Sequence, residues 1–169
     1  MAEKLVIIGN GMAPGRMLEE LFEKAPGLFD VTIFNAEPRV NYDRIMLSPV
    51  LSGEKSYVDI VIHDDAWYAA HGVTLHKGAK ITEIDRVAKT VTSANGITAS
   101  YDKLVIATGS LPFIIPVPGH QLPGVLAYRD LDDVEKMLEI AKGKGRAIVI
   151  GGGLLGLEAA YGLKRQGME

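Results

Sequence analysis

The stretch from Lys4 to Leu21, KLVIIGNGMAPGRMLEEL, constrains this chain more than any other, because an apolar run passes through glycines straight into a helical pattern. Leu5, Val6, Ile7 and Ile8 form an unbroken apolar segment, as expected of a strand covered on both faces in a parallel sheet. Gly9 permits a tight turn, and Gly11 leaves out a side chain that would block a ligand's approach. The N–H groups opening the following helix lack intrahelical partners and carry the positive end of the helix dipole. Such a turn suits a phosphate. Dinucleotide loops usually read GxGxxG or GxGxxA, whereas here Pro14 takes the third place and Gly15 follows it. Proline is tolerated in a first helical turn, where its missing N–H has no partner to lose. The helix is therefore expected to start at or just before Pro14, with Gly15 making the close contact. A strand, turn and helix without any ligand fit this irregular loop equally well.

With 169 residues, 47% of them hydrophobic, the chain is long enough for one well-packed domain. Its net charge of −3 gives no basic face, which argues against nucleic acid or an acidic membrane as partner. Without a cysteine, these residues hold no disulfide, thiolate metal site, cysteine-ligated cluster or redox dithiol. The first strand begins within a few residues and no apolar run reaches membrane-spanning length, so a cytoplasmic protein without a signal peptide is expected. His63, His71, His76 and His120 lack the i,i+4 or H-x-E spacing of metal ligands. No Ser-His-Asp or paired-carboxylate pattern stands out, so any chemistry is expected from a cofactor.

After the glycine turn, Met17, Leu18, Leu21 and Phe22 lie on one side of a helix that Pro26-Gly27 ends. Val31 to Phe34 reads as a second strand, completing a right-handed parallel unit. Glu37 follows it, at the place where an acid accepts hydrogen bonds from a ribose; a solvated surface glutamate is the alternative. Residues 39–53, RVNYDRIMLSPVLSG, mix apolar groups with two arginines. Either a cofactor or neighbouring domain covers them, with Arg44 reaching a phosphate or an electron-rich ring, or a short helix packs on its own core. Asp64-Asp65 should cap a short helix ending at Gly72, followed by a third strand at Val73 to His76. Ile81 to Asp85, Thr90 to Ser93 and Ile97 to Tyr101 read as an antiparallel meander, with Asn95-Gly96 as a two-residue hairpin turn. Lys103 to Thr108 reads as a fully buried strand, and the proline-rich residues 109–124 as irregular.

Asp130 and Asp133 should open a helix whose apolar face is Leu131, Val134, Leu138 and Ala141. Arg146 to Ile150 reads as another buried strand, leading into Gly151, Gly153 and Gly156, a regular GxGxxG at the start of a helix. The fold class is therefore α/β, with a parallel Rossmann-like sheet, helices and an inserted three-stranded antiparallel meander.

The two glycine loops, the meander between them and the ATGS stretch at Ala107 to Ser110 together resemble the FAD-dependent pyridine-nucleotide oxidoreductases across essentially the whole chain. The resemblance implies a three-layer FAD/NAD(P)-binding fold, with FAD on the first loop and NAD(P)H on the second. It places Gly9, Gly11, Met12, Ala13 and Pro14 against the FAD pyrophosphate, and Glu37 against the adenosine ribose. Arg44 would reach the phosphates or the flavin, Ala79 would meet the adenine through its backbone, and Thr108 and Gly109 would line the same cofactor. Gly151, Gly153 and Gly156 would cradle the nicotinamide dinucleotide. Residues 1–142 would be the first segment of the FAD-binding domain and 143–169 the start of the NAD(P)H domain.

Within the family, GNGM at Gly9, NYDRIMLS at Asn41, YDKLVIATGS at Tyr101 and GGGLLGLEAA at Gly151 look most like the large subunits of assimilatory NAD(P)H nitrite reductases. That implies hydride transfer from NAD(P)H to FAD and a relay toward nitrite. Siroheme and an iron–sulfur cluster would lie in downstream redox domains, and this segment alone would be inactive. Relatives that reduce rubredoxin or ferredoxin often carry Pro-Pro-Leu-Ser-Lys where this chain has Ile45-Met46-Leu47-Ser48-Pro49. They are the alternative, and a non-catalytic nucleotide-binding module is the alternative of another class.

Overall fold

The apolar run at the N-terminus forms β1 (Glu3–Ile8), which pairs in parallel with β2 (Phe29–Phe34) on one side and β9 (Lys103–Ile106) on the other. A computed structural model provides these coordinates and describes residues 2–169. With β5 (Thr74–His76) beyond β2, the sheet has four parallel strands in the order β5-β2-β1-β9. The crossover between the parallel strands β1 and β2 is α1 (Met12–Lys24), which starts at Met12 and buries Pro14, Gly15 and Leu18. Pro14 thus stands third in the helix, inside the first turn as expected, and Gly15 is the residue in close contact: a Cβ there would come within 2.6 Å of the Asn41 side-chain nitrogen.

Alternate residues of β1 serve opposite faces. Val6 and Ile8 join Phe34, Ala79 and Val91 in a core against which Ile81, Ile97, Ala99, Tyr101 and Leu104 pack, while Leu5 and Ile7 are buried on the other face. That core is roofed by the meander β6 (Ile81–Asp85), β7 (Thr90–Ser93) and β8 (Thr98–Ser100), an antiparallel sheet of three strands. Two very short strands, β3 (Asn41–Tyr42) and β4 (Val61–His63), pair antiparallel, and α3 (Asp65–Ala70) follows with Asp64 as its cap, accepting from the Trp67 N–H at 2.8 Å.

Residues Met1–Tyr42 and Val61–Gly109 make up one compact unit; Asp43–Ile60 and Ser110–Glu169 make up a second. The second is helical. In it α2 (Leu47–Ser52) packs with α4 (Leu131–Ala141) and α5 (Leu154–Arg165), burying Leu47, Val50 and Leu51. The apolar stretch at 45–51 is therefore largely covered by the chain's own helices, although Ile45 is exposed. Asp130 caps α4, accepting from the Asp133 N–H at 3.0 Å, while the Asp133 carboxylate accepts from the Arg129 N–H at 2.9 Å. This is a capping box displaced by one residue.

Four expectations are corrected. The strand before Thr108 stops at Ile106 and is an edge strand, with a partner on one side only among the described residues, and it is not fully buried, with Ile106 63% exposed. The hairpin turn is the three-residue loop Ala94-Asn95-Gly96: the Gly96 N–H donates to the Ser93 carbonyl at 2.9 Å and only Gly96 has positive φ, whereas a two-residue type I′ turn needs it at both centres. The buried face of α4 uses Met137, with Leu138 only half-buried. Finally, residues 146–150 form no strand; Ile148 is 90% and Ile150 76% exposed. A strand exists through its partners, and here only two bonds approximate one, from the Ala147 N–H to the Glu169 carbonyl and from the Glu169 N–H to the Gly145 carbonyl.

Because the Asp130 cap closes an otherwise open helix end, Asp130→Ala should destabilise the chain by about 1 kcal/mol in denaturant unfolding. Helix α5 buries only Ala159 and Gly162, so its amides should exchange far faster than those of Leu5 to Ile8 in native-state hydrogen exchange. Equal protection of the two would contradict this.

Candidate functional site

The parallel strands direct their carboxyl ends to one edge, where ligands of open α/β sheets bind. Along it, β1 runs into Gly9, β2 into Asn35 to Glu37, β5 into Lys77 to Ala79, and β9 into Ala107 to Gly109. The Gly9 N–H donates to the Phe34 carbonyl at 2.8 Å, and the Ala107 N–H donates to the Ile8 carbonyl at 2.8 Å. Gly9 has φ +104, and a Cβ on it would sit 2.3 Å from the Ala107 oxygen and 3.1 Å from the Thr108 nitrogen. Only glycine fits there. Gly9 and Thr108, assigned to one site from distant parts of the sequence, are thus packed together.

Gly11 is the N-cap of α1 in extended conformation, no side chain caps the helix, and a Cβ on Gly11 would meet nothing within 4 Å. An uncapped helix N-terminus facing open space is what an anion needs. Met12 and Ala13 supply its free N–H groups, and Pro14 supplies none.

Beneath this turn lies a buried polar cluster with no counterpart in the sequence expectations. Asn41, fully buried, donates from Nδ2 to the Gly11 carbonyl at 2.6 Å and to the Asn10 carbonyl at 3.3 Å. Tyr68 donates its hydroxyl to Asn10 Oδ1 at 3.0 Å. His63, paired with Asn41 across β3 and β4, holds Glu19 through Nε2 at 2.8 Å and stacks on Trp67 with ring centroids 3.9 Å apart. Hydrogen bonds from Arg16, first, and from His63, second, hold the Glu19 carboxyl below the usual carboxylate range. The sequence does not foretell these contacts of Asn41 and His63, because their partners are backbone groups and residues of other elements.

Glu37 is half-buried and accepts from the Tyr42 hydroxyl at 2.7 Å. The Gly78 N–H donates to the Glu37 carbonyl at 3.0 Å and the Ala79 N–H to the Asn35 carbonyl at 2.8 Å, so Glu37 and Ala79 are tied into one turn. Thr108 and Gly109 are exposed.

The other assigned residues lie in the second unit. Arg44 donates from Nη1 to the Arg129 carbonyl at 3.2 Å. Gly151 has φ +130, and a Cβ at Gly156 would lie 2.1 Å from its oxygen; Gly153 caps α5 in extended conformation without a side-chain cap, and a Cβ there would meet nothing. This loop repeats the first in design, with its crowding internal. The same unit holds a further chain of polar groups. Ser48 Oγ donates to Glu158 at 2.6 Å, and since a hydroxyl has one proton, the Tyr128 hydroxyl donates to Ser48 at 3.0 Å. Burial raises the Tyr128 hydroxyl above its ordinary value.

Among the described residues no group of three His, Asp or Glu could hold a metal ion, and no helix is long and apolar enough to cross a membrane. The chain is 46% identical, over 99% of its length, to a nitrite reductase [NAD(P)H] of Bacillus subtilis, and 44% identical to the assimilatory nitrate reductase electron transfer subunit of that organism. It spans 21% and 22% of those two proteins. Its structure matches 43% of the NADH:rubredoxin oxidoreductase of Clostridium acetobutylicum with TM-score 0.87 and 32% identity, over 99% of the chain. With two glycine loops of one design and a family match running over residues 3–169, the chain belongs to the pyridine nucleotide-disulphide oxidoreductases.

Proposed function

We propose that this chain is the FAD-binding part of an NAD(P)H-dependent nitrite reductase, taking electrons from NAD(P)H and relaying them toward nitrite. The observation that carries the FAD site is the turn at Gly9 to Pro14: crowded at Gly9, open at Gly11, and backed by a helix terminus that no side chain caps. A pyrophosphate matches that arrangement. Gly11, Met12 and Ala13 would present N–H groups to it, Glu37 would accept from the adenosine ribose, and the backbone at Ala79, Thr108 and Gly109 would line the rest. Arg44 would contribute positive charge on the phosphate or flavin side. The flavin, when bound, supplies acceptance of hydride from NAD(P)H and onward transfer of electrons.

By the same reasoning Gly151, Gly153 and Gly156 would hold the nicotinamide dinucleotide, residues 1–142 would belong to the FAD domain, and 143–169 would begin the NAD(P)H domain. Siroheme and iron–sulfur chemistry would reside in other redox domains of the parent protein, its partners in the relay, in a cytoplasmic setting. The nitrite branch is favoured by the 46% identity to a nitrite reductase [NAD(P)H]. A rubredoxin or ferredoxin reductase is the second reading, favoured by the likeness to the clostridial enzyme. It is weakened by Pro49, which stands where those relatives often carry lysine.

The test is anaerobic addition of NADH or NADPH to the flavin-loaded parent protein. The flavin should bleach, and nitrite should restore its colour where rubredoxin and ferredoxin do not; restoration by rubredoxin alone would favour the second reading. Gly11→Val places its Cβ in open space at an ordinary φ of −82. It should lower the thermal midpoint by no more than about a few degrees, the scale of a changed helix cap, and weaken FAD binding by at least about tenfold. Unchanged affinity would remove the pyrophosphate from this turn.

A further inference from the structure

The anion-binding geometry of the first loop is set by peptide planes, and the structure shows what holds two of them. The carbonyl of Asn10 shares its peptide with the N–H of Gly11, and the carbonyl of Gly11 shares its peptide with the N–H of Met12. In a trans peptide the N–H points opposite to the C=O. Asn41 Nδ2 takes both carbonyls, at 3.3 and 2.6 Å, from the buried side of the turn. The two N–H groups are thereby aimed away from Asn41. The Gly11 carbonyl also accepts the Gly15 N–H at 3.2 Å, and a carbonyl so loaded polarises the N–H across its own peptide.

The arrangement is costly, which argues that it has a use. Asn41 is 0% exposed, and its Oδ1 has no hydrogen-bond partner in the structure. A buried amide with half its capacity unmet is retained in spite of the fold's economy. Asn41 also needs room. The nearest obstruction would be a side chain at position 15, whose Cβ would fall 2.6 Å from Nδ2 and 3.4 Å from the Asn41 Cγ. Gly15, the glycine displaced by one from the usual spacing, is where it must be for Asn41 to reach the loop.

We propose that Asn41 is a positioning residue for the pyrophosphate loop, orienting the Gly11 and Met12 N–H groups toward the cofactor, and that Gly15 is required because it makes way for Asn41. This rests on the FAD reading above. The experiment compares Asn41→Ala, Gly15→Ala and the double variant with the unsubstituted protein, by FAD titration and by amide NMR of the flavin-free protein.

Each single variant should bind FAD about tenfold more weakly, the scale of one lost buried hydrogen bond. The double variant should bind no more weakly than Asn41→Ala, since the alanine at 41 vacates the space the new methyl needs. In flavin-free protein the Gly11 and Met12 amide resonances should shift upfield in Asn41→Ala. Independent, multiplying losses in the double variant would overturn the proposal, as would unmoved amide resonances. If Asn41→Ala fails to fold, Gly15→Ala carries the test, because alanine is the better helix former and a loss there reports the clash. Undiminished FAD affinity in Gly15→Ala then refutes it. Asn41→Ala binding FAD normally while Gly11→Val does not would sink the clamp and spare the FAD site. An unsubstituted parent that binds no FAD would sink both.

Discussion

Everything at the carboxyl edge of the sheet depends on how close Gly9 comes to Ala107. β1 lies between β2 and β9, and at its end the chain must turn while two neighbouring strands are still alongside. The bonds from Gly9 to Phe34 and from Ala107 to Ile8 fix both sides at 2.8 Å, and at 2.3 Å from the Ala107 oxygen there is no space for a Cβ. Because φ at Gly9 is +104 as well, two separate requirements select glycine at one position. The turn can then leave the sheet sharply enough for α1 to begin three residues later with its N-terminus uncovered.

The second loop meets the same need by another route. There the crowding falls between Gly156 and Gly151, 2.1 Å from a hypothetical Cβ to the oxygen, so the third glycine of the regular spacing is compulsory. In the first loop the close approaches are to Ala107 and Asn41, at Gly9 and Gly15. Position 14 carries neither, and proline there loses only an N–H that the helix terminus leaves unpaired. The irregular spacing is a relocation of contacts.

This explains what could be read in advance. The continuous apolar run of β1, the caps Asp64 and Asp130, and the order of strand, helix and meander all follow from local chemistry, and each is present. Where an element is defined by its partner, local chemistry is silent. β3 and β4 have two and three residues, too few to show a period. Arg146 to Ile150 has the composition of a buried strand but lacks the neighbours that would make it one. Asn41 is the clearest case at the site itself, an asparagine that sits fully buried against two loop carbonyls.

The second unit shows the same principle in reverse. Ile148, Ile150, Leu154, Leu155, Leu157 and Tyr161 are all more than half exposed. Their order is that of a strand followed by its crossover helix, with the glycine loop between. Ala147 and Glu169 already exchange the first bonds of a parallel pair with their neighbours, so the local geometry for extending a sheet is in place. The loop at Gly151 takes its shape without that sheet, because its critical contact is internal to it. Nucleotide-loop geometry and strand formation are therefore separable in this chain: the first is written in three glycines, and the second waits on backbone partners.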